Sequence, residues 1–121
     1  MHVFDESREM YLETILVLSK ESDFVRSVDI ANKLEYSKPS VSRAVKNLVK
    51  DGSISVADNG RVELTKEGLI EAQKIYEKHK ILTEIFVDVL GLDPVLAEKD
   101  ACRVEHVISD ETFEALKKLL D

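Results

Sequence analysis

The stretch Asp29–Gly52, DIANKLEYSKPSVSRAVKNLVKDG, decides the fold. Its first half, entered through Ser27 as N-cap, predicts a short helix, VDIANKLE, with Ile30, Ala31 and Leu34 as its apolar positions. Tyr36-Ser37-Lys38 then makes a tight polar turn. Ser37 is a good N-cap for the next helix, and Pro39 falls in its first turn, where a missing N–H costs nothing. Val41, Val45 and Leu48 mark the buried stripe of that helix, which runs to about Lys50; Gly52 suits the position just past its end. The result is two short helices joined by a tight turn.

Upstream, Ser7 is placed to cap a helix reaching about Lys20, with Tyr11, Ile15 and Leu18 as its apolar stripe and Glu21–Phe24 as the connection. Downstream, Ile54 and Val56 alternate with serines, and Val62 and Leu64 alternate with Arg61 and Glu63. Between them Asp58-Asn59-Gly60 offers the positive φ angles of a tight hairpin turn. Thr65 caps a long helix extending to about Leu90, and Gly91 ends it. Asp93-Pro94 opens a fifth helix and Ser109-Asp110 a sixth. The expected class is mainly α with a small β-hairpin wing: a winged helix-turn-helix over residues 1–64, followed by a helical domain over residues 65–121.

Composition bounds the function. A chain of 121 residues with 44% hydrophobic residues builds one domain, or one plus a helical unit, and a domain so small gains from a dimer interface. No apolar run approaches a bilayer span, and the acidic start MHVFDESREM has no signal-peptide apolar region. Cys102 is the single cysteine, so the expectation is a reducing cytoplasm, with no membrane partner. The net charge of −7 argues at first against nucleic acid, but its distribution argues for it. Val25–Lys50 holds six bases and two acids, a local +4 on a remainder of −11.

That basic window contains the groove-reading helix. Lys38, Ser40, Arg43, Lys46 and Lys50 are its outward positions, with Ser37, Pro39 and Ser42 near the entry. Lysines neutralise phosphates, Arg43 is suited to a bidentate contact with guanine, and Pro39 offers apolar contact to a thymine methyl. Arg26 adds to the patch, and Arg61 beside the hairpin tip is placed to meet the backbone or minor groove. A three-helix interaction module with a solvated basic face is the blander reading of the same residues.

The fifth helix has two chemical faces. Ala97, Ala101, Val104 and Ile108 form one stripe; Glu98, Cys102, Glu105, His106 and Ser109 occupy a sector about 100° wide beside it. Thiol, carboxylate and imidazole on one side are ligands for first-row divalent metals. Met10 and Glu13 share a face of the first helix, and His79 lies on the fourth; if these helices meet, sulfur, oxygen and nitrogen converge. Singly, each residue also reads as ordinary packing or a solvated helix face.

EMYLETI (9–15), the helix-turn-helix stretch itself, LTKEG (64–68), HKILTEIFVDVLGLD (79–93) and ACRVEHVISDE (101–111) together resemble the diphtheria toxin repressor family of iron- and manganese-dependent regulators. The resemblance covers nearly the whole chain. It implies a homodimeric repressor whose metal controls binding to palindromic operators of metal-uptake genes. It implies that Met10, Cys102, Glu105 and His106 form the main metal site and that His79 serves a second. Met10 with Cys102 looks like the iron branch, so Fe(II) is the expected ion; Glu13 matches a carboxylate of the manganese branch, so Mn(II) is the alternative. The second site departs from the family's pattern, with Thr83 and Glu98 where the iron branch has glutamate and histidine, and Leu82 where the manganese branch has glutamate. Glu98 is the available substitute. The chain also ends where longer iron regulators carry a further domain.

Dimerisation is expected from the helical domain, with Phe113, Leu116 and Leu120 as candidate contacts, although the same stripe reads equally as intramolecular core. Two other functions fit less of the sequence. A regulator sensing oxidation through Cys102 needs no metal. A metalloenzyme would need a nucleophile–base pair or a substrate-binding motif, and neither accompanies the cluster, so no enzyme and no small organic substrate are expected.

Overall fold

A computed structural model describes residues 6–121, Glu6 as backbone only. Ser7–Gln73 and Lys74–Asp121 form two compact units. The elements run α1 (Glu6–Glu21), α2 (Ser27–Leu34), α3 (Lys38–Lys50), β1 (Ile54–Val56), β2 (Val62–Leu64), α4 (Lys66–Glu84), a π turn (Ile85–Val89), α5 (Pro94–Val104), α6 (Asp110–Lys117) and a closing 3-10 turn (Lys118–Leu120). The mainly helical fold with a two-stranded wing is as the sequence predicts. No helix among the described residues is long and apolar enough to cross a membrane.

In the first unit, α1 is more deeply embedded than its apolar stripe suggests. Every residue from Tyr11 to Leu16 is buried, including Glu13 and Thr14, while Leu18 is only partly covered. The N-cap of α2 is Arg26, one residue before the expected Ser27. The Arg26 N–H donates to the Asp29 carboxylate at 2.8 Å, so the acid of the first turn reaches back to the residue that precedes the helix. α2 ends on Glu35 in the left-handed region at φ 58, a conformation usually left to glycine.

α3 is capped by Ser37, whose Oγ accepts from the Ser40 N–H, with Pro39 in the first turn. Its Val41, Val45 and Leu48 are buried, as are Ile30 and Ala31 of α2. The hairpin pairs Ile54 with Leu64, Ser55 with Glu63 and Val56 with Val62. The turn falls at Asp58-Asn59-Gly60 as expected, but only Gly60 supplies a positive φ. Gly60 takes φ 89 while Asn59 keeps negative φ, and Gly60 N–H donates to the Ala57 carbonyl. The Asn59 side chain instead accepts from the Arg61 N–H at 3.1 Å, which fixes the turn.

The change of element type comes at Leu64–Thr65, but the units divide inside α4, at Gln73–Lys74. Thr65 holds the start of α4 to the wing. Its Oγ1 accepts from the Gly68 N–H at 3.1 Å and donates to the Gly52 and Ser53 carbonyls at 2.6 and 3.0 Å. Gly68 is pressed so closely to β1 that a Cβ there would lie 1.9 Å from the Ser53 carbonyl oxygen.

In the second unit the end of α4 widens. Leu90 N–H donates to the Ile85 carbonyl, five residues back, and Gly91 at φ 70 stops the helix. Asp93 caps α5 by accepting from Val95 and Leu96. α5 ends at Val104, although the two-faced pattern reads on to Ser109. The reason is local: Ser109 is the extended N-cap of α6, so the chain leaves the helix before it, and Glu105–Val107 form a tightened turn. Leu82, Ala101 and Phe113 centre the core, with Ile81, Phe86, Val104, Ile108 and Leu116 packed on them.

Phe113, a candidate dimer contact, is thus 4% exposed and belongs to the unit's own core, with Leu116 against it. Lys78 and Lys117 stand over its ring, each 5.9 Å from the centroid. Leu120 is half-buried on the closing turn, and the exposed apolar side chains of this unit are Val89, Leu90, Val95, Leu96, Val107 and Leu119.

Candidate metal centre and nucleic-acid interface

α3 presents Lys38, Pro39, Ser42, Arg43, Lys46 and Lys50 as exposed residues. Among the described residues no acid lies within ion-pair distance of its four cations, so their charge is available to an outside anion. Arg26 and Arg61 differ: Arg26 faces Asp29 at 3.9 Å, and Arg61 faces Glu63, two residues along the same arm of the wing, at 3.2 Å. These exposed pairs are weak and break readily for a phosphate.

The α3 entry is internally organised. The Ser37 hydroxyl donates to Ser40 Oγ at 2.8 Å, and Arg43 Nη2 donates to the same oxygen at 3.4 Å. Tyr36 meets Tyr11 of α1 edge-on, ring centroids 6.0 Å apart. Burial pushes the Tyr11 phenol above its ordinary value; Tyr36 adds to this and the Arg43 charge opposes it.

Four side chains that the sequence reading passed over tie this unit together. Arg8 of α1 donates to Asp51 just past α3 at 2.9 Å, to Ser53 Oγ at 2.7 Å, and to Glu71 of α4. Ser53 donates to Asp51 in turn and is itself buried. Burial pushes the Asp51 carboxyl up, but hydrogen bonds from Ser53 and Arg8 outweigh it and hold the group below its usual range.

The metal-ligand types cluster in the second unit. Cys102, Glu105 and His106 each offer a donor atom, and these lie within 4.8 Å of one another. Cys102 is half-buried; Glu105 and His106 are 1% and 6% exposed. His79 joins them, its Nδ1 3.3 Å from Glu105 Oε1, while His106 Nε2 stands 3.7 Å from the same oxygen. The His79 ring stacks on Tyr76 at 6.5 Å. Neither Glu105 oxygen accepts a hydrogen bond among the described residues. A carboxylate with no donor in so dry a place calls for a cation, and the thiol and imidazoles around it are transition-metal ligands, so these residues fit such an ion.

His79, expected at a second site, therefore sits against the main cluster. Glu98 is exposed and outside it. The departures at 82 and 83 have structural roles: Leu82 is fully buried core, and the Thr83 hydroxyl donates to the His79 carbonyl at 2.7 Å. On α1, Glu13 is buried and Met10 half-buried.

Two family models match the chain. One, "Iron dependent repressor, N-terminal DNA binding domain", matches residues 4–62; the other, "Iron dependent repressor, metal binding and dimerisation domain", matches residues 65–121. The diphtheria toxin repressor of Corynebacterium efficiens is 37% identical over 116 residues, which are 96% of this chain and 50% of that protein. An uncharacterized HTH-type transcriptional regulator of Methanocaldococcus jannaschii is 34% identical over 96% of this chain and 94% of its own length. The solved structure of the manganese regulator SloR aligns with TM-score 0.82 and 31% identity, over 93% of this chain and 53% of that one. The chain spans about half the length of the diphtheria toxin repressors it matches.

Proposed function

The chain belongs to the iron-dependent repressor family, and from that premise we propose that it is a homodimeric repressor of metal-uptake genes whose hold on DNA requires a bound divalent metal. The observation that carries the metal half is Glu105. Its carboxylate is buried beside Cys102, His79 and His106 and accepts no hydrogen bond among the described residues. A bound Fe(II) or Mn(II) ion supplies the positive charge that this carboxylate lacks. Cys102, Glu105 and His106 would hold it with His79, and Met10 and Glu13 of α1 would complete the set. Sulfur from Met10 and Cys102 favours Fe(II); the two carboxylates keep Mn(II) as the alternative. The Cys102 thiol is here a ligand, and no observation favours oxidation sensing.

Gating follows from what else α1 carries. Met10 and Glu13 share that helix with Arg8 and Tyr11, which touch Asp51, Ser53 and Tyr36 at the two ends of α3. Holding α1 in place thereby holds the reading helix. Metal and DNA then favour one arrangement, and each raises affinity for the other by the same factor. Val89, Leu90, Val95 and Leu96 are the exposed apolar surface offered to a second copy. A twofold dimer presents two α3 helices about 34 Å apart and calls for a palindromic operator.

The test is an anaerobic anisotropy titration of labelled operator with Fe(II), Mn(II), Zn(II) or chelator. Metal should tighten binding at least tenfold, and His106→Ala should abolish the gain while leaving weak, salt-sensitive binding. Equal affinity with metal and with chelator would end the gating reading.

A further inference from the structure

The exposed cations of α3 are not equivalent, because one of them is aimed. Lys38, Lys46 and Lys50 have no acid within ion-pair distance among the described residues, which is how mobile phosphate contacts behave. Arg43 donates through Nη2 to Ser40 Oγ at 3.4 Å, and Ser40 Oγ is itself held by the Ser37 hydroxyl at 2.8 Å. Ser37 is in turn fixed as the α3 N-cap by the Ser40 N–H at 3.3 Å. The chain Ser37–Ser40–Arg43 thus runs from the backbone of the helix to a guanidinium, with a half-buried serine as its middle link.

On its other side the guanidinium lies near Tyr11, whose phenol feels its charge and whose ring meets Tyr36 edge-on. A guanidinium has five N–H donors in a plane. One contact through Nη2 still leaves an N–H on each terminal nitrogen, the pair that matches O6 and N7 of guanine.

We propose that Ser40 is a positioning residue that aims Arg43 at the major-groove edge of one guanine in each half-site, making Ser40 and Arg43 together a determinant of operator sequence. This rests on the DNA-binding reading above. A side chain already held in one rotamer loses less freedom on meeting its base, so the benefit falls on base discrimination and not on general affinity. Lysine cannot replace arginine here, because an ammonium is a point charge without the fork.

The experiment selects bound sequences from duplexes with randomised half-sites, using the metal-loaded full chain. It then measures affinity and salt slope for the selected site and for its single-base variants. Wild type should prefer guanine at one position per half-site by roughly tenfold or more. Arg43→Lys should erase that preference and keep the salt slope. Ser40→Ala should reduce it by about threefold to tenfold with salt slope and thermal melt unchanged, and Ser40→Thr should restore it. The Ser37 cap to the backbone survives in all three variants, so folding is not at stake.

If Ser40→Ala keeps full discrimination, the positioning role is refuted. If Arg43→Lys keeps it, Arg43 touches only phosphate and the proposal falls while DNA binding stands. Should wild type retain no duplex at all, the DNA reading itself fails, and this proposal with it.

Discussion

Gly68→Ala puts the packing of wing and helix to a test of sign. Helix propensity alone makes the change favourable by about 1 kcal/mol, because Gly68 lies inside α4. The structure says the reverse. The added Cβ would meet the Ser53 carbonyl oxygen at 1.9 Å and its carbon at 2.9 Å, both backbone atoms. Ordinary contact begins at 3.4 Å, so α4 and β1 must part by about 1.5 Å. Two donors oppose that: the Thr65 N–H, bonded to the Ser53 carbonyl, and the Thr65 hydroxyl, whose one proton is shared between the carbonyls of Ser53 and Gly52. At about 1 kcal/mol each, their loss costs roughly 2 kcal/mol, and compressing the contact instead costs a similar 1–3 kcal/mol. Less the propensity gain, the variant should be destabilised by about 1 kcal/mol.

For a chain of this size that is a fall of roughly 4 °C in melting temperature, or a clear shift of the urea midpoint at unchanged slope. The metal-free protein should be used, so that ligand binding does not mask the change. A Gly68→Ala protein as stable as wild type, or more so, would refute the close approach of α4 to the wing.

Three further outcomes follow from single residues. Asp51→Asn should destabilise by about 1 kcal/mol at neutral pH; because the folded Asp51 titrates below its ordinary value, its contribution is present above about pH 4 and is lost as pH falls further, so wild-type and variant urea midpoints should converge in acid. Glu35→Gly should raise the melting temperature by relieving the left-handed φ of 58 at the end of α2, a gain of about 1 kcal/mol by thermal denaturation; no change would mean that the side chain bonds elsewhere. Phe113→Ala should cost about 3–5 kcal/mol in folding, since the ring fills the core between Leu82 and Ala101; a variant that melts normally but dissociates as a dimer would place the ring at the interface instead.

What could be read from the sequence was whatever repeats or is local. Ser37, Pro39 and the Val41–Val45–Leu48 spacing mark α3 because capping and helical periodicity act within a few residues. The cluster of Cys102, Glu105 and His106 is legible for the same reason, all three lying within two helical turns. Arg8 was not, because its partners Asp51, Ser53 and Glu71 stand 43, 45 and 63 positions away and no local rule relates them. Phe113 shows a different limit. An apolar stripe states that a helix face will be covered, without saying whether the cover is the same chain or another. His79 shows a third: its helix position was plain, but its approach to Glu105 depends on how α4 meets the turn after α5. The end of α5 at Val104 was hidden because Glu105 keeps helical angles at φ -57 and ψ -27 just past it.

The arrangement on α1 gives the gating reading its physical form. At about 100° per residue, Arg8 and Tyr11 lie within 60° of each other, as do Met10 and Glu13, and the two pairs fall on opposite sides of the helix. One side holds the side chains that grip α3, and the other holds the candidate ligands. A helix whose middle is buried from Tyr11 to Leu16 is too confined to satisfy the two sides independently. In the gating proposed above, a shift of α1 that seats Met10 and Glu13 would be carried to Arg8 and Tyr11, and so to both ends of α3. The coupling is then limited by the grip on α3, which consists of a few hydrogen bonds and one aromatic contact. At about 1 kcal/mol for each, that grip can transmit a few kcal/mol, which matches the size of an ordinary allosteric coupling.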